Sequence, residues 1–251
     1  MTRRIFTGCR FFLAAAIAVG FFASPAHAQS TGDAKFVLDL GVGLDKSING
    51  NVNSGAIGRL QGQAAAILPQ PYGDVYGTGL TFKFGGGYVL NQESELRAVF
   101  TLQSADANLV RLGDLGPSSL YGQYSDYVSF GLDLGYRRYV PLTNTKFRVY
   151  GEGTLGIAFI DEINVLLSAP QSNLVLDETD FYDRTAAFTW SINVGMLFPV
   201  ASKLDLNAQV GLRHVSGLSE VDQLVGTGLE EINNDSSRLT FPIVIGVRFR
   251  F

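Results

Sequence analysis

The chain has 251 residues, with 19 Lys and Arg against 23 Asp and Glu, a formal net charge of −4. That length fits one large domain or two small ones, and the acidic balance argues against a nucleic-acid partner. Cys9 is the only cysteine, so no disulfide staples the fold, and a domain of this size needs none if it can close a large hydrogen-bonded structure.

Residues 1–28 read as a cleaved signal peptide. Arg3, Arg4 and Arg10 form a basic region, Phe11 to Phe22 an apolar one, and "AHA" at 26–28 a small-x-small cleavage site. The mature chain, 29–251, is expected to be a single domain. Its loss of three Arg and no acid leaves 16 bases against 23 acids, a net charge of −7. After the signal no run reaches the ~18 apolar residues of a transmembrane helix.

A period of two recurs instead, in eight segments of roughly the ~9–11 residues that a tilted strand needs to cross a bilayer. They are 35–44, 75–90, 95–103, 127–140, 147–160, 187–198, 204–215 and 239–251. One face of each is apolar, as with Phe36, Leu38, Leu40, Val42 and Leu44 in the first, and Ile243, Ile245, Val247, Phe249 and Phe251 in the last. The other face is small or polar: Asp39, Gly41 and Gly43; Arg97, Thr101 and Gln103; Asp205, Asn207 and Gln209. A soluble sandwich alternates too. Two features favour a membrane barrel. Connections after the even segments are short ("NQES", "PLTNTK", "PVASK"), whereas those after the odd ones are long. Aromatic residues also gather near segment ends: Tyr88, Tyr136, Phe147, Phe198, Phe249 and Phe251 at the short-turn end, and Tyr76, Phe159, Phe188 and Trp190 at the other.

The expected fold is therefore all-β, a transmembrane antiparallel up-and-down barrel of eight strands. The stretch 163–178 is either a hairpin above the membrane or two further strands, which would make ten. The signal peptide, the eight segments, the alternating loops and the terminal "GVRFRF" resemble the small outer-membrane β-barrels. That porin-like family includes the OmpA membrane domain, OmpX, OmpW and opacity-type surface proteins. The resemblance implies a Gram-negative outer membrane, surrounding lipid and lipopolysaccharide, and a barrel-assembly machine that reads Phe249 and Phe251.

Eight strands enclose an interior just wide enough for side chains. Asp39, Lys83, Arg97, Asp133, Arg137, Arg148, Glu152, Asp205, Arg213 and Arg248 are expected to meet there in a salt-bridged network. A structural or surface-interaction protein with acidic external loops follows from a packed lumen; a narrow channel for small or hydrophobic solutes follows from an open one. The loop stretch "DETDFYD" (177–183) lacks the glycine and downstream glutamate of a calcium loop, so neither metal nor cofactor is expected. His214 and Ser216 form the one constellation with catalytic chemistry, both turned toward lipid, with Glu230, Glu231 or Asp235 as the acid that would orient the histidine. The pair resembles the His-x-Ser of outer-membrane lipid A 3-O-deacylases, which implies an esterase. Gly217 stands where that family has asparagine, and its short spacing to glutamate is not kept. The expected reading is non-enzymatic.

Overall fold

The structure is a computed structural model describing residues 35–142, 145–172, 174–175, 178–221, 228–233 and 236–251; the signal segment lies outside them. In chain order the first strands are β1 (Phe36–Asn49), β2 (Asn51–Asn53), β3 (Ala56–Leu60), β4 (Gln63–Ile67) and β5 (Gln70–Pro71). A single helical turn α1 (Tyr72–Tyr76) precedes β6 (Thr78–Asn91), β7 (Ser94–Ala105), β8 (Leu109–Leu115), β9 (Ser118–Tyr124), β10 (Tyr127–Val140) and β11 (Arg148–Ile160). Then come β12 (Ile163–Ala169), β13 (Leu174–Val175), β14 (Thr179–Asp183), β15 (Thr185–Ala201), β16 (Leu204–Val215), β17 (Ser219–Glu220) and β18 (Arg238–Arg250).

Eight of these close an antiparallel barrel in the order β1-β18-β16-β15-β11-β10-β7-β6. The eight period-two segments supply these eight strands, and 163–178 adds none. The seam pairs Val37 with Arg250, and the Phe251 N–H donates to the Phe36 carbonyl at 2.9 Å, so the chain end leaves no open sheet edge. Short turns join β6 to β7, β10 to β11 and β15 to β16. In the first of them the Asn91 side chain accepts the Glu93 N–H at 2.9 Å, a local bond that favours the reversal.

Burial is inverted relative to a water-soluble protein. Leu134 is 67% exposed and Ile245 66%, while Arg137, Arg248 and Asp133 are each 1% exposed. Outward apolar side chains cover every strand, including a row of rings, Phe84–Phe100–Phe130–Phe159, with centroids 5.8–6.2 Å apart. Such a continuous apolar belt exceeds what a soluble monomer exposes; hydrocarbon is its matching solvent. Among the described residues no helix is long and apolar enough to cross a membrane, so the crossing is made by strands.

The long connections are where the structure departs most from the sequence reading. They fold together into a cap over the mouth at the long-loop end. A second sheet runs β17-β14-β12-β9-β8-β4-β3, taking strands from all four connections. Beneath it lies a core of Leu60, Ile67, Tyr72, Val75, Leu112, Leu115, Leu120, Tyr124, Ile163, Val165, Phe181 and Leu229, continuous with the barrel residues Tyr127, Ile160 and Val215. Buried phenols tie one connection to the next. The Tyr72 hydroxyl donates to the Ser236 carbonyl at 3.0 Å, Tyr182 donates to that of Val52 at 2.7 Å, and Asn53 donates to Tyr124 at 2.8 Å. Burial raises the pKa of Tyr72, Tyr76 and Tyr124 and keeps these phenols neutral. Tyr76 is thus corrected: it belongs to α1 in the cap core, 2% exposed, and not to the lipid-facing aromatic belt. Its period-two signal came from the approach to β6, which starts only at Thr78.

Candidate functional site

Inside the barrel, inward positions of five strands converge on one ion network. Arg137 of β10 and Glu152 of β11 are register partners and bond at 2.7 Å. Arg97 of β7 pairs with Asp39 of β1 and lies 3.4 Å from Glu152. Arg248 of β18 pairs with Glu95 of β7, which also accepts the Tyr139 hydroxyl at 2.8 Å. Three guanidinium groups thus face three carboxylates, one acid to each. That matters because a buried ion left alone is far costlier than a paired one.

Small residues make the reach possible. Strand β6 lies between β1 and β7, and at Gly85 and Gly87 it leaves the space that the Arg97 side chain crosses: a Cβ on Gly85 would sit 2.9 Å from the Arg97 guanidinium. A Cβ on Gly131 would sit 2.7 Å from Arg213, which spans the lumen to bond Asp133 at 2.8 Å. Tyr150 fills the space over its register partner Gly195 and carries the Arg137 guanidinium 3.8 Å from its ring. The cavity remaining among Asp39, Lys83, Arg97, Arg137, Glu152 and Gln209 is about 20 Å³, room for about one water. Nearer the cap, the Thr189 hydroxyl donates to Asp133 at 2.6 Å. Asp45 accepts from Gln103. Arg238 donates to Ser47 at 2.8 Å and lies 4.2 Å above the Tyr127 ring.

The ten expected lumen residues therefore divide. Asp39, Arg97, Arg137, Glu152 and Arg248 form the central network, and Asp133 and Arg213 a second pair. Lys83 lines the small cavity with no ion pair among the described residues. Asp205 meets Arg250 at 3.0 Å near the short-turn end. Arg148 keeps the lumen-facing parity but lies at the short-turn mouth, outside the ion pairs among the described residues: its guanidinium is 3.7 Å over the Tyr139 ring and donates to the Gln92 carbonyl at 2.8 Å. It opens β11, where the strand has barely entered the barrel. Glu95, Asp45, Arg238, Tyr139 and Tyr150 were missed. Parity held the signal, since Glu95 shares the face of Arg97, and Asp45 that of Asp39 and Gly41.

The His214 and Ser216 neighbourhood lies on the outer wall. His214 stacks on Trp190 with centroids 5.5 Å apart, beside register partner Leu239. Its Nδ1 has no hydrogen-bond partner, and no carboxylate pairs with it among the described residues. The Ser216 hydroxyl accepts the Phe188 N–H at 3.0 Å, and a Glu230 carboxylate oxygen accepts the Gly228 N–H at 3.3 Å. Among the described residues no acid pairs with the histidine; Asp235 lies outside them. At the seam Phe249 and Phe251 keep the outward parity of Ile243 and Ile245.

A closed antiparallel sheet, charged within and apolar without, defines an integral membrane β-barrel. The chain belongs to the family described as outer membrane protein beta-barrel domain, whose model matches residues 14–250. It is a small eight-stranded barrel of the outer membrane, and by the rule for such barrels the short turns face the periplasm and the cap the exterior. Among solved structures, neisserial surface protein A is 11% identical with a TM-score of 0.44, covering 88% of this chain and 100% of its own. OprG of Pseudomonas aeruginosa is 13% identical with a TM-score of 0.48, covering 90% and 99%. The outer membrane protease OmpT of Escherichia coli is 9% identical with a TM-score of 0.44, covering 91% and 100%. No curated protein sequence matches the chain.

Proposed function

We propose that this is a surface-interaction protein of the outer membrane, with residues 1–28 removed on export and the lumen closed to solutes. A folded acidic cap faces the exterior, and the protein acts by binding, not by catalysis. The observation that carries this reading is an ion network around a cavity of about 20 Å³, beneath a hydrophobic cap core. Cap chemistry supports the display role. Asp74, Asp106, Asp114, Asp126, Asp161, Glu162, Glu178, Asp180, Asp183, Glu220, Glu230 and Glu231 are exposed there, against exposed Arg59, Arg111 and Arg184 among the described residues. Lipid and lipopolysaccharide are the proposed surroundings of the apolar belt, and the assembly machinery the proposed reader of Phe249 and Phe251. The unpartnered His214 favours a belt role beside Trp190.

Surface display has a direct test. With Asp114 in the cap and Ser202 in the β15–β16 turn both exposed, an Asp114→Cys variant is expected to react with a membrane-impermeant maleimide on intact cells. Ser202→Cys is expected to react only after the outer membrane is permeabilised. The reverse pattern contradicts the orientation and with it the display role.

A further inference from the structure

Below the central network the lumen widens at the periplasmic end into a vestibule of about 590 Å³, within the ~300–1,000 Å³ of ligand pockets. Lys35, Arg148, Arg248 and Arg250 line it, with Glu95 as the acid among its lining residues. This is a strongly basic concavity in a chain with 23 acids and 19 bases. The acids nearby are already engaged, Glu95 by Arg248 and Asp205 by Arg250 at 3.0 Å. Lys35 and Arg148 have no carboxylate partner among the described residues. Arg148 is nonetheless held in place, clamped over Tyr139 and bonded to the Gln92 carbonyl. The Nε atoms of Arg248 and Arg250 are buried and have no hydrogen-bond partner; the Arg248 side chain is 1% exposed. Fixed cations around a concave wall of low dielectric concentrate potential and favour an anion, and guanidinium groups match oxyanions by geometry as well as charge.

We propose that this vestibule binds a small soluble oxyanion, bearing phosphate or carboxylate groups, from the periplasm. Arg148 and Lys35 would neutralise the ligand, and Arg248 and Arg250 would offer it their remaining N–H donors. The site lies on the opposite side of the closed lumen from the cap.

The test uses the mature protein folded in a neutral detergent, titrated calorimetrically with pyrophosphate and, separately, with citrate. Lys35 and Arg148 are exposed and outside the central network, so a Lys35→Gln/Arg148→Gln variant is expected to fold; the cap variant Arg59→Gln serves as control. The expected result is saturable binding of at least one anion by the wild type, weakened about tenfold or more in the double variant and unchanged in Arg59→Gln. Absence of saturable binding by the wild type overturns the proposal. So does equal affinity in the folded double variant, or a response only to phosphatidylglycerol in mixed micelles, which would make the ligand a lipid headgroup.

Discussion

Glu152→Leu is expected to lower barrel stability by about 3–5 kcal/mol, the cost of stranding a buried partner charge. Glu152 sits 2.7 Å from Arg137 and 3.4 Å from Arg97. Its loss leaves Arg137 with Asp39 at 4.0 Å as its remaining carboxylate. Removing both register partners, as Arg137→Leu/Glu152→Leu, is expected to recover much of the loss, because an apolar pair of similar volume removes the stranded charge along with its partner. Urea unfolding in lipid vesicles, run as a double-mutant cycle, measures both effects. If the single and double variants were equally destabilised, packing and not charge pairing would be what Glu152 provides.

The second large effect belongs to the outer wall. Ile245 is 66% exposed and pairs with Val42 and Ala208 near the middle of the barrel height. Ile245→Arg is expected to destabilise the folded barrel by about 2–4 kcal/mol in a bilayer, the range for arginine at the midplane. The same change on the cap, at Ile57, which is 84% exposed, is expected to stay within about 0.5 kcal/mol. Vesicle-based unfolding of the two variants checks the contrast. Equal effects would mean that the two surfaces meet the same solvent.

The barrel was legible in the sequence because two solvents impose a strict parity on every crossing strand. A one-residue slip would put Arg137 or Arg248 in lipid. Segment limits were short where the strands rise above the membrane. Strand β1 continues from Leu44 to Asn49 and carries Asp45 into the lumen, and without that extension Asp45 was passed over. Pairings inside the lumen were not legible. Arg97 reaches Asp39 across an intervening strand, over the glycines at 85 and 87, and no local spacing encodes that reach. Arg148 lies at the mouth and not in the network for a related reason: parity gives the face of a strand but not the depth.

The cap was the larger omission. Its strands are short, two to seven residues, too short for a period-two pattern to stand out from turn sequence. Their pairings also cross connections, as in β9 with β12 and β4 with β8. The stretch 109–124 did carry a signal. Leu112, Leu115, Leu120 and Tyr124 flank Gly116–Pro117, and these residues form the β8–β9 hairpin with its apolar face in the cap core. The loops became a folded layer because four of them together bury enough apolar surface to order one another, which none does alone.

The central claim, that ion network and cap together close the lumen, is tested most directly by single-channel recording of the purified protein in planar bilayers. The account predicts no steady open level at moderate potentials, because any ion would have to break paired charges and pass beneath the cap core. A persistent ohmic open state in the wild-type protein would contradict it.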